Sequence, residues 1–241
     1  MDNMKNRDAI LRCLFVIFLF CVPSYLAAFK IFLSSNENNF LSNYSFTLDF
    51  YSVLIMFIQV LQYGLPIIIL MILTNDSFEE YGFNKVSLKD LLKSLLRMLG
   101  LTLLFLIIFG IIVGIIIGLL FYKEMNFENI FTALEKENNN TLMILLNLVP
   151  ITLLAFIEEL YFRSYLYKNL NKIIENKWIC IITVNILFGI GHIYQGIIAM
   201  FGTFIIGLVL SIEFKKHNNI YTISIFHALR NVLAFVLRTI L

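Results

Sequence analysis

Charged residues are scarce in this chain of 241 residues, and their scarcity decides the class of protein. Only 14% of the residues are charged and 60% are hydrophobic, whereas soluble domains have about 25% and about 45–50%. A soluble core of this size cannot bury so many apolar side chains. The composition therefore excludes a soluble globular domain, a disordered tail and a nucleic-acid-binding protein. A net charge of +2 also gives no reason to expect a polyanionic partner.

Cysteine is rare as well, and its positions support neither disulfides nor a structural zinc site. Cys13, Cys21 and Cys180 are odd in number and lie within apolar runs. No segment repeats another at a fixed period. What the chain does contain is a series of long apolar runs, which are typical of an integral membrane protein.

Seven apolar runs can be assigned as membrane spans, since crossing about 30 Å of hydrocarbon takes roughly 20 helical residues. They predict an all-α, polytopic membrane helical bundle of about seven transmembrane helices. We expect an N-terminal transmembrane hairpin (1–75) and a membrane-embedded core (76–241) that is a single integrated domain. Basic residues before the first run also resemble a signal peptide, but the run is long and lacks a clear A-x-A site, so we expect it to be retained. The predicted spans are 10–33, 51–73, 98–122, 142–169, 178–195, 197–214 and 219–240.

The cations alternate along the chain as the positive-inside rule requires. With a cytoplasmic N-terminus, 13 of the 18 lysines and arginines fall in the predicted inside segments. The segment 34–50, predicted outside, contains Glu37 and Asp49 but no cation. The sequence thus predicts a multi-pass protein of the plasma membrane, with the lipid bilayer as a partner, the N-terminus inside and the C-terminus outside.

The third span has two further features. Ser87 and Asp90 resemble a capping box, and the cations that follow recur every four residues opposite leucines, which predicts a separate interfacial helix before the span. Glycines recur every four residues within the span and predict close packing against a neighbouring helix of the chain. The cations are Lys85, Lys89, Lys93 and Arg97, and the glycines are Gly110, Gly114 and Gly118.

Ionisable side chains within the bilayer are costly, so each requires a reason. They are concentrated in the last four spans. From the predicted span ends, Glu158, His192 and His227 lie at depths of about 18, 22 and 15 Å, because a helix rises 1.5 Å per residue. We therefore expect them to meet in one cavity that opens towards the cytoplasm. The full set is Glu158, Glu159 and Arg163 in the fourth span, His192 in the fifth, and His227, Arg230 and Asn231 in the seventh.

Spacing within the helices narrows the roles of these side chains. Glu159 and Arg163 are four residues apart in the order that favours an intrahelical ion pair, which leaves Glu158 to point elsewhere. His227 and Asn231 project from one face of their helix. A carboxylate that accepts a proton from water and donors that stabilise an oxyanion form a hydrolytic set. Each group alone is more often an interhelical hydrogen-bond partner, and the role of Arg230 stays open.

Three ordered motifs resemble the signature of one family of intramembrane endopeptidases. They are Glu158-Glu159-x-x-x-Arg163, Phe188-x-x-x-His192 and His227-x-x-x-Asn231, and Tyr81-Gly82-Phe83 is similar to the region before the family core. The family is CPBP, also called the type II CAAX prenyl protease, bacteriocin-processing or abortive-infection family. The resemblance covers roughly residues 142–241. It implies a protease of eight or fewer helices, with a site inside the bilayer that is reachable from the cytoplasm.

The resemblance also implies a role for each matched residue. Glu158 with His192 would position and activate the attacking water, and His227 with Asn231 would stabilise the oxyanion. Glu159 and Arg163 would brace the helix as a structural ion pair. The substrate would be a peptide or a lipidated or membrane-anchored protein, cleaved near its C-terminus or leader.

Two alternatives accompany this reading. The chain contains no His-Glu-x-x-His helix, so a metal-free glutamate mechanism without a cofactor is favoured. Zinc is nevertheless possible, because Glu158, His192 and His227 could supply three ligands. The competing functional class is a non-enzymatic membrane immunity, binding or transport protein that uses the same polar cavity.

Overall fold

The computed structural model describes residues 2–34, 50–74, 76–121 and 141–240, and this part of the chain is helical apart from short turns. No β-strand occurs in these ranges. Apolar runs form helices in a bilayer because each backbone N–H and C=O must find its partner within its own segment. In chain order the elements are α1 (Asp2–Val16), a π-helical stretch (Ile17–Cys21), α2 (Val22–Ser34), α3 (Phe50–Leu73), α4 (Leu88–Phe121), α5 (Thr141–Glu159), a second π-helical stretch (Leu160–Tyr167), α6 (Lys168–Ile173), α7 (Lys177–Ile190), a 3₁₀ turn (Ile193–Gln195), α8 (Ile197–His217) and α9 (Ile220–Ile240).

Within the described ranges, six helical segments are long and apolar enough to cross a membrane. Helix α7 is shorter, because its 14 residues rise only about 21 Å, against roughly 30 Å of hydrocarbon. The predicted all-α membrane bundle is therefore confirmed, with one of its seven predicted spans present as a short helix. The six segments are Asn6–Ser34, Phe50–Leu73, Leu88–Ile116, Thr141–Ile173, Ile197–His217 and Ile220–Leu237.

The fourth span changes its helical geometry immediately after the two glutamates. Helix α5 ends at Glu159, and the eight residues Leu160–Tyr167 that follow are π-helical and all buried. A π-helical turn holds more residues than an α-helical turn, so the side chains after Glu159 point in directions that an α-helix would not give them. π-helical stretches are uncommon in proteins, and those that occur often lie at functional sites.

One end of the bundle is built around Asp76, and we call it the basic end. The Asp76 carboxylate accepts a hydrogen bond from Arg12 at 2.8 Å and lies 3.1 Å from Lys168 Nζ and 3.6 Å from Lys172 Nζ. Burial alone would raise the pKa of Asp76, but hydrogen bonds from Lys168 and Tyr81 outweigh it and lower the pKa to about 2. These contacts join the first, second and fourth spans.

The turn between α8 and α9 completes the basic end by bonding to the loop before α4. The Ile220 N–H donates to Gly82 O at 2.8 Å, and Asn84 Nδ2 donates to Asn218 O at 2.7 Å. Gly82 has a φ of +91°, and a Cβ there would lie 3.1 Å from Phe214 Cζ, so a larger residue would not fit. The four segments that the sequence places in the cytoplasm thus lie together at one end.

Helix α4 begins where the sequence predicts but differs in extent and contacts. The Asp90 N–H donates to Ser87 Oγ at 3.1 Å, which confirms the predicted cap. The separate interfacial helix is wrong, because residues 88–121 form one continuous helix. Arg97, one of the four cations, is bonded within the bundle, since its Nε donates to Glu213 Oε2 of α8 at 2.9 Å. That buried partner is 116 residues away in sequence, so the local pattern does not reveal it.

The glycines of α4 do not pack as predicted. A Cβ at Gly110 or Gly114 would meet no heavy atom within 4 Å in the described part of the chain. Neighbouring isoleucines on α4, such as Ile107 and Ile111, are also exposed. The predicted close contact with a neighbouring helix is therefore wrong at Gly110 and Gly114, and Gly118 lies outside the described side chains.

Candidate active site

The two glutamates at the end of α5 both face His227 of α9. His227 Nδ1 donates a hydrogen bond to Glu159 Oε1 at 2.7 Å, because a carboxylate can only accept it. Glu158 Oε2 lies 3.7 Å from Nε2, the second nitrogen of the same ring. Glu159 is fully buried, whereas 25% of the Glu158 side chain is exposed. Glu159 therefore holds the imidazole from within the protein, and Glu158 keeps a face that solvent or a ligand can reach.

Arg163 lies on the far side of Glu159 and is fully buried. Its Nη1 donates to Glu159 Oε1 at 3.1 Å, which is the i,i+4 pair that the spacing suggests. Its Nη2 donates to Asn185 Oδ1 at 2.8 Å and to Gly207 O at 3.2 Å. Asn185 in turn donates to Ser211 Oγ at 2.8 Å. A buried charge is tolerated only when its donors are satisfied, and this network satisfies them from α7 and α8 as well as α5.

Close packing fixes the position of the guanidinium. The carbon of the Arg163 guanidinium lies 4.3 Å from the centroid of the Phe188 ring, a cation–π distance. Phe188 also meets His227 edge-to-face, with ring centroids 5.8 Å apart. A Cβ at Gly207 would come within 2.8 Å of Arg163 Nη2, so α8 needs a glycine where it passes the arginine. One phenylalanine thus packs against both the buried cation and the imidazole of α9.

His192 lies just beyond the end of α7, in the turn that leads into α8. Its Nδ1 donates to Phe188 O at 2.9 Å, since a carbonyl oxygen is only an acceptor. That bond fixes the tautomer and leaves Nε2 as the basic nitrogen of the ring. The turn closes at Gly196, which has a φ of +94°, and α7 and α8 then pack against each other as the predicted hairpin.

Asn231 follows His227 by one helical turn on α9. Its Oδ1 accepts a hydrogen bond from Arg230 Nη1 at 3.0 Å. Because the amide oxygen is engaged, the NH₂ group of Asn231 is the part that remains to donate to another group. Arg230 itself interacts electrostatically with Glu158 and Tyr194. The Arg230 guanidinium therefore contributes a positive charge near Glu158.

A cavity of about 430 Å³ reaches Glu158 and His192 from between α2 and α3. It extends to Ile31 and Ser52, which lie near the ends of these helices that face away from the basic end. The sequence predicted an opening at the cation-bearing end, so the direction of the cavity differs from that prediction. Its lining is Phe20, Ser24, Tyr25, Ala27, Ala28, Ile31, Ser52, Ile55, Met56, Gln59, Tyr63, Leu154, Ile157, Glu158, Phe162, Phe188, Gly191, His192 and Tyr194.

One family model matches the part of the chain that carries these side chains. Residues 139–233 match the family model for the type II CAAX prenyl endopeptidase Rce1-like family. This segment is similar to the Rce1-like family. This confirms the resemblance that the three motifs carry. No curated protein and no solved structure matched the chain.

The Rce1-like segment contains every residue of the predicted site, but the cavity is not built from this segment alone. Eleven of the lining residues, from Phe20 to Tyr63, come from α2, α3 and the π-helical stretch before α2, outside the matched range. Together with six apolar spans in the described ranges, the match supports an integral membrane protein that contains a segment similar to a family of CAAX-type endopeptidases. The cavity is therefore shared between the matched segment and the N-terminal helices.

Sequence reasoning missed the polar partners that surround Arg163. Asn185 and Ser211 are fully or almost fully buried, and neither belongs to a motif. Asn185 lies two helical turns before His192 in an otherwise apolar helix, and that isolation is the signal that could have identified it. Ser211 gives no comparable signal, because serine is common at contacts between membrane helices.

The three candidate zinc ligands are Glu158, His192 and His227. In the described ranges, no group of three or more His, Cys, Asp or Glu side chains is arranged to hold a metal ion. A catalytic zinc needs three protein ligands held at bonding distance from one point. The arrangement of Glu158, His192 and His227 does not fit a zinc site, and no step below is derived through a metal.

Proposed function

We propose that the chain is an intramembrane endopeptidase that hydrolyses a peptide bond by a glutamate-activated water. The observation that carries the proposal is the position of Glu158, a carboxylate at the inner end of the cavity within a segment of a protease family. Its Oε2 is buried and makes no hydrogen bond to any described residue. A buried acceptor without a partner beside a cavity is placed to bind and deprotonate a water.

The reaction can be written with this chain's own side chains. Glu158 takes one proton from water as the oxygen attacks the scissile carbonyl carbon, and the basic Nε2 of His192 accepts the second hydrogen of that water as a hydrogen bond. An oxyanion forms on the carbonyl oxygen. When the C–N bond breaks, Glu158 returns its proton to the leaving nitrogen, so the products are an amine and a carboxylic acid.

His227 and Asn231 are proposed as the donors for the oxyanion. His227 Nδ1 donates to Glu159, so a proton on Nε2 would make the ring a cation that can donate to the developing charge. The carboxylates of Glu158 and Glu159 would supply the counter-charge for that cation. Asn231 would contribute its NH₂ group, because Arg230 occupies its oxygen. Fixed donors of this kind stabilise the transition state without reorganisation.

Substrate and membrane location follow from the family and from the charges. The family name refers to prenylated CAAX proteins, and we propose more broadly a membrane-associated peptide or protein that is cleaved near its C-terminus or leader. The cations at the basic end favour a cytoplasmic N-terminus, and the membrane that we propose is the plasma membrane. Two lysines bonded to Asp76 are among these cations.

The test is cleavage by purified protein in proteoliposomes. A set of membrane-spanning and C-terminally prenylated or unmodified peptides is incubated with the chain, and new N-termini are identified by mass spectrometry. We expect new termini with the unsubstituted chain and none with Glu158→Gln. Glu80→Gln, an exposed glutamate at the basic end, is the matched control and should cleave normally. Equal cleavage by Glu158→Gln would refute the mechanism, and peptide binding without any cleavage would favour the non-enzymatic alternative.

A further inference from the structure

We propose that Tyr25, on α2, is a positioning residue for His192. Its hydroxyl fixes the end of α7, and with it the imidazole that accepts a hydrogen bond from the attacking water. The inference rests on the proposed function for the role of His192, but the state of the imidazole can be measured without any cleavage. It also gives a part in the reaction to a helix that lies outside residues 139–233.

The end of α7 leaves backbone carbonyls that need partners. An α-helix cannot satisfy its last four C=O groups from within, and the hydrocarbon of a bilayer supplies no donor. Helix α7 ends at Ile190, so the Leu187 carbonyl is the first of these four. Its bond from the Gly191 N–H is long, at 3.3 Å. The closer donor is the Tyr25 hydroxyl, which lies 2.6 Å from Leu187 O.

His192 completes the same helix end. Its Nδ1 donates to Phe188 O at 2.9 Å, and its backbone N–H donates to Gly189 O at 2.9 Å. Two consecutive carbonyls are therefore bonded to His192, and the carbonyl before them is bonded to Tyr25. Because these three carbonyls belong to one short stretch of backbone, a displacement of Leu187 O also displaces the imidazole.

The ring of Tyr25 adds a packing contact to the hydrogen bond. A Cβ at Gly191 would lie 3.3 Å from Tyr25 Cε1, so the ring packs directly against the residue before His192. The 3₁₀ turn Ile193–Gln195 also packs against α2. Cys21, four residues before Tyr25 on the same span, interacts with the Tyr25 hydroxyl. The side chain is thus held both by its own span and by the turn that carries His192.

A contact with substrate is the competing role for Tyr25, because the side chain lines the same cavity as Glu158 and His192. The hydroxyl hydrogen is already used in the bond to Leu187 O, so the group has no hydrogen left to donate to a peptide. The two roles differ in kinetics. A residue that positions a catalytic group affects kcat, whereas a residue that binds substrate and transition state alike affects KM.

The experiment compares Tyr25→Phe with Tyr161→Phe. Tyr25→Phe keeps the ring against Gly191 and removes only the hydroxyl. Tyr161 is the matched control, because its hydroxyl also donates to a backbone carbonyl, Tyr63 O at 2.9 Å, but its side chain is not part of the cavity lining. Gly191→Ala is the second variant should Tyr25→Phe fail to fold, since the added methyl displaces the Tyr25 ring by a few tenths of an ångström.

The first measurement is ¹⁵N NMR of histidine-labelled protein in detergent. The chain has three histidines, and a His192→Asn variant identifies the signals of His192. We expect a protonated Nδ1 in the unsubstituted chain, and changed His192 signals but unchanged His217 signals in Tyr25→Phe. Tyr161→Phe should leave the His192 signals as they are. Unchanged His192 signals in folded Tyr25→Phe, or in Gly191→Ala if it takes the place of that variant, would overturn the proposal.

The second measurement is the kinetics of cleavage of a peptide that the unsubstituted chain cleaves. Tyr25→Phe should lower kcat by about 10²-fold, the cost of misplacing a catalytic group by about 1 Å, with KM little changed. A higher KM at unchanged kcat would make Tyr25 a substrate contact and overturn the proposal, as would an equal loss of kcat in Tyr161→Phe. Changed His192 signals with no cleavage of any peptide by the unsubstituted chain would support the positioning role and refute the proposed protease function.

Discussion

His227 Nδ1 donates to Glu159 Oε1 at 2.7 Å, and the same oxygen accepts from Arg163 Nη1 at 3.1 Å. The second glutamate of the pair therefore joins the buried cation of its own helix to the imidazole of α9. Oε2 of Glu158, its neighbour, makes no hydrogen bond to a described residue, and the Glu158 side chain lines the cavity. The two adjacent carboxylates thus differ in their hydrogen-bond partners, and substitution of each should have a different effect on stability.

Glu159→Gln should destabilise the fold more than Glu158→Gln does. A neutral amide at position 159 would leave the buried charge of Arg163 without its counter-ion, a change that costs about 3–5 kcal/mol for a buried pair. The measurement is monodisperse yield in detergent together with the thermal unfolding temperature. Glu158→Gln is the matched control and should be folded but inactive. If Glu159→Gln is stable while Glu158→Gln aggregates, the roles of the two carboxylates are reversed.

Asn185→Leu should lower stability by about 1–3 kcal/mol, because Arg163 Nη2 and Ser211 Oγ would each lose one hydrogen-bond partner in a buried site. Asn147→Leu is the matched control. Asn147 is equally buried, but its amide donates at 2.7 Å to Met143 O within its own helix, so leucine would remove a local bond only. Thermal unfolding of both variants in one detergent gives the comparison. Equal shifts in unfolding temperature would mean that the hydrogen bond from Arg163 to Asn185 adds no more stability than the local bond of Asn147 does.

Local spacing predicted those parts of the structure that one helix determines. The proximity of Glu159 and Arg163 follows from their four-residue separation, and the cap at Ser87 follows from its distance to Asp90. The apolar runs likewise predicted the helices, because a bilayer leaves the backbone few alternatives. The ends of the spans were less predictable, since apolar residues in the sequence continue past the membrane surface.

Contacts between distant segments could not be predicted in the same way. Glu159 and His227 are 68 residues apart, and Arg97 and Glu213 are 116 apart. Their pairing depends on which helices are neighbours, and one sequence does not contain that information. The basic stripe of α4 therefore predicted a surface helix when one of its cations was already bonded within the bundle. The direction of the cavity was missed for a related reason, because α2 and α3 form its walls without any motif.

Asp76→Asn should change how stability depends on pH. The folded pKa of Asp76 is lowered to about 2, so its ionised form contributes stability that is present above an unfolded pKa of about 3.9 and is lost as pH falls towards 2. We expect about 1–2 kcal/mol at neutral pH, allowing for solvent screening. Unfolding temperatures measured from pH 3 to 7 should show a shallower slope for Asp76→Asn. Glu80→Gln, which removes only a contact to Lys168, should leave the slope unchanged.

Strong zinc chelators should leave peptide cleavage intact. The proposed mechanism uses Glu158 as the base and side-chain donors for the oxyanion, so no step requires a metal. Purified protein should carry far less than one zinc per chain by elemental analysis. Stoichiometric zinc that is lost together with activity, and that restores activity on return, would contradict this. Glu158, His192 and His227 would then be ligands in a rearranged site.

Asn231→Ala should lower kcat by about 10²–10³-fold with little change in KM, as expected for the loss of one oxyanion donor. Arg230 should act through Asn231, because its bond to Oδ1 presents the NH₂ group of the amide. Arg230→Met should therefore lower kcat, and Arg230→Lys should recover part of it. In the Asn231→Ala background, Arg230→Met should have little further effect, since the group that it positions is gone. Additive losses in the double variant would show that Arg230 acts by another route, such as its charge next to Glu158.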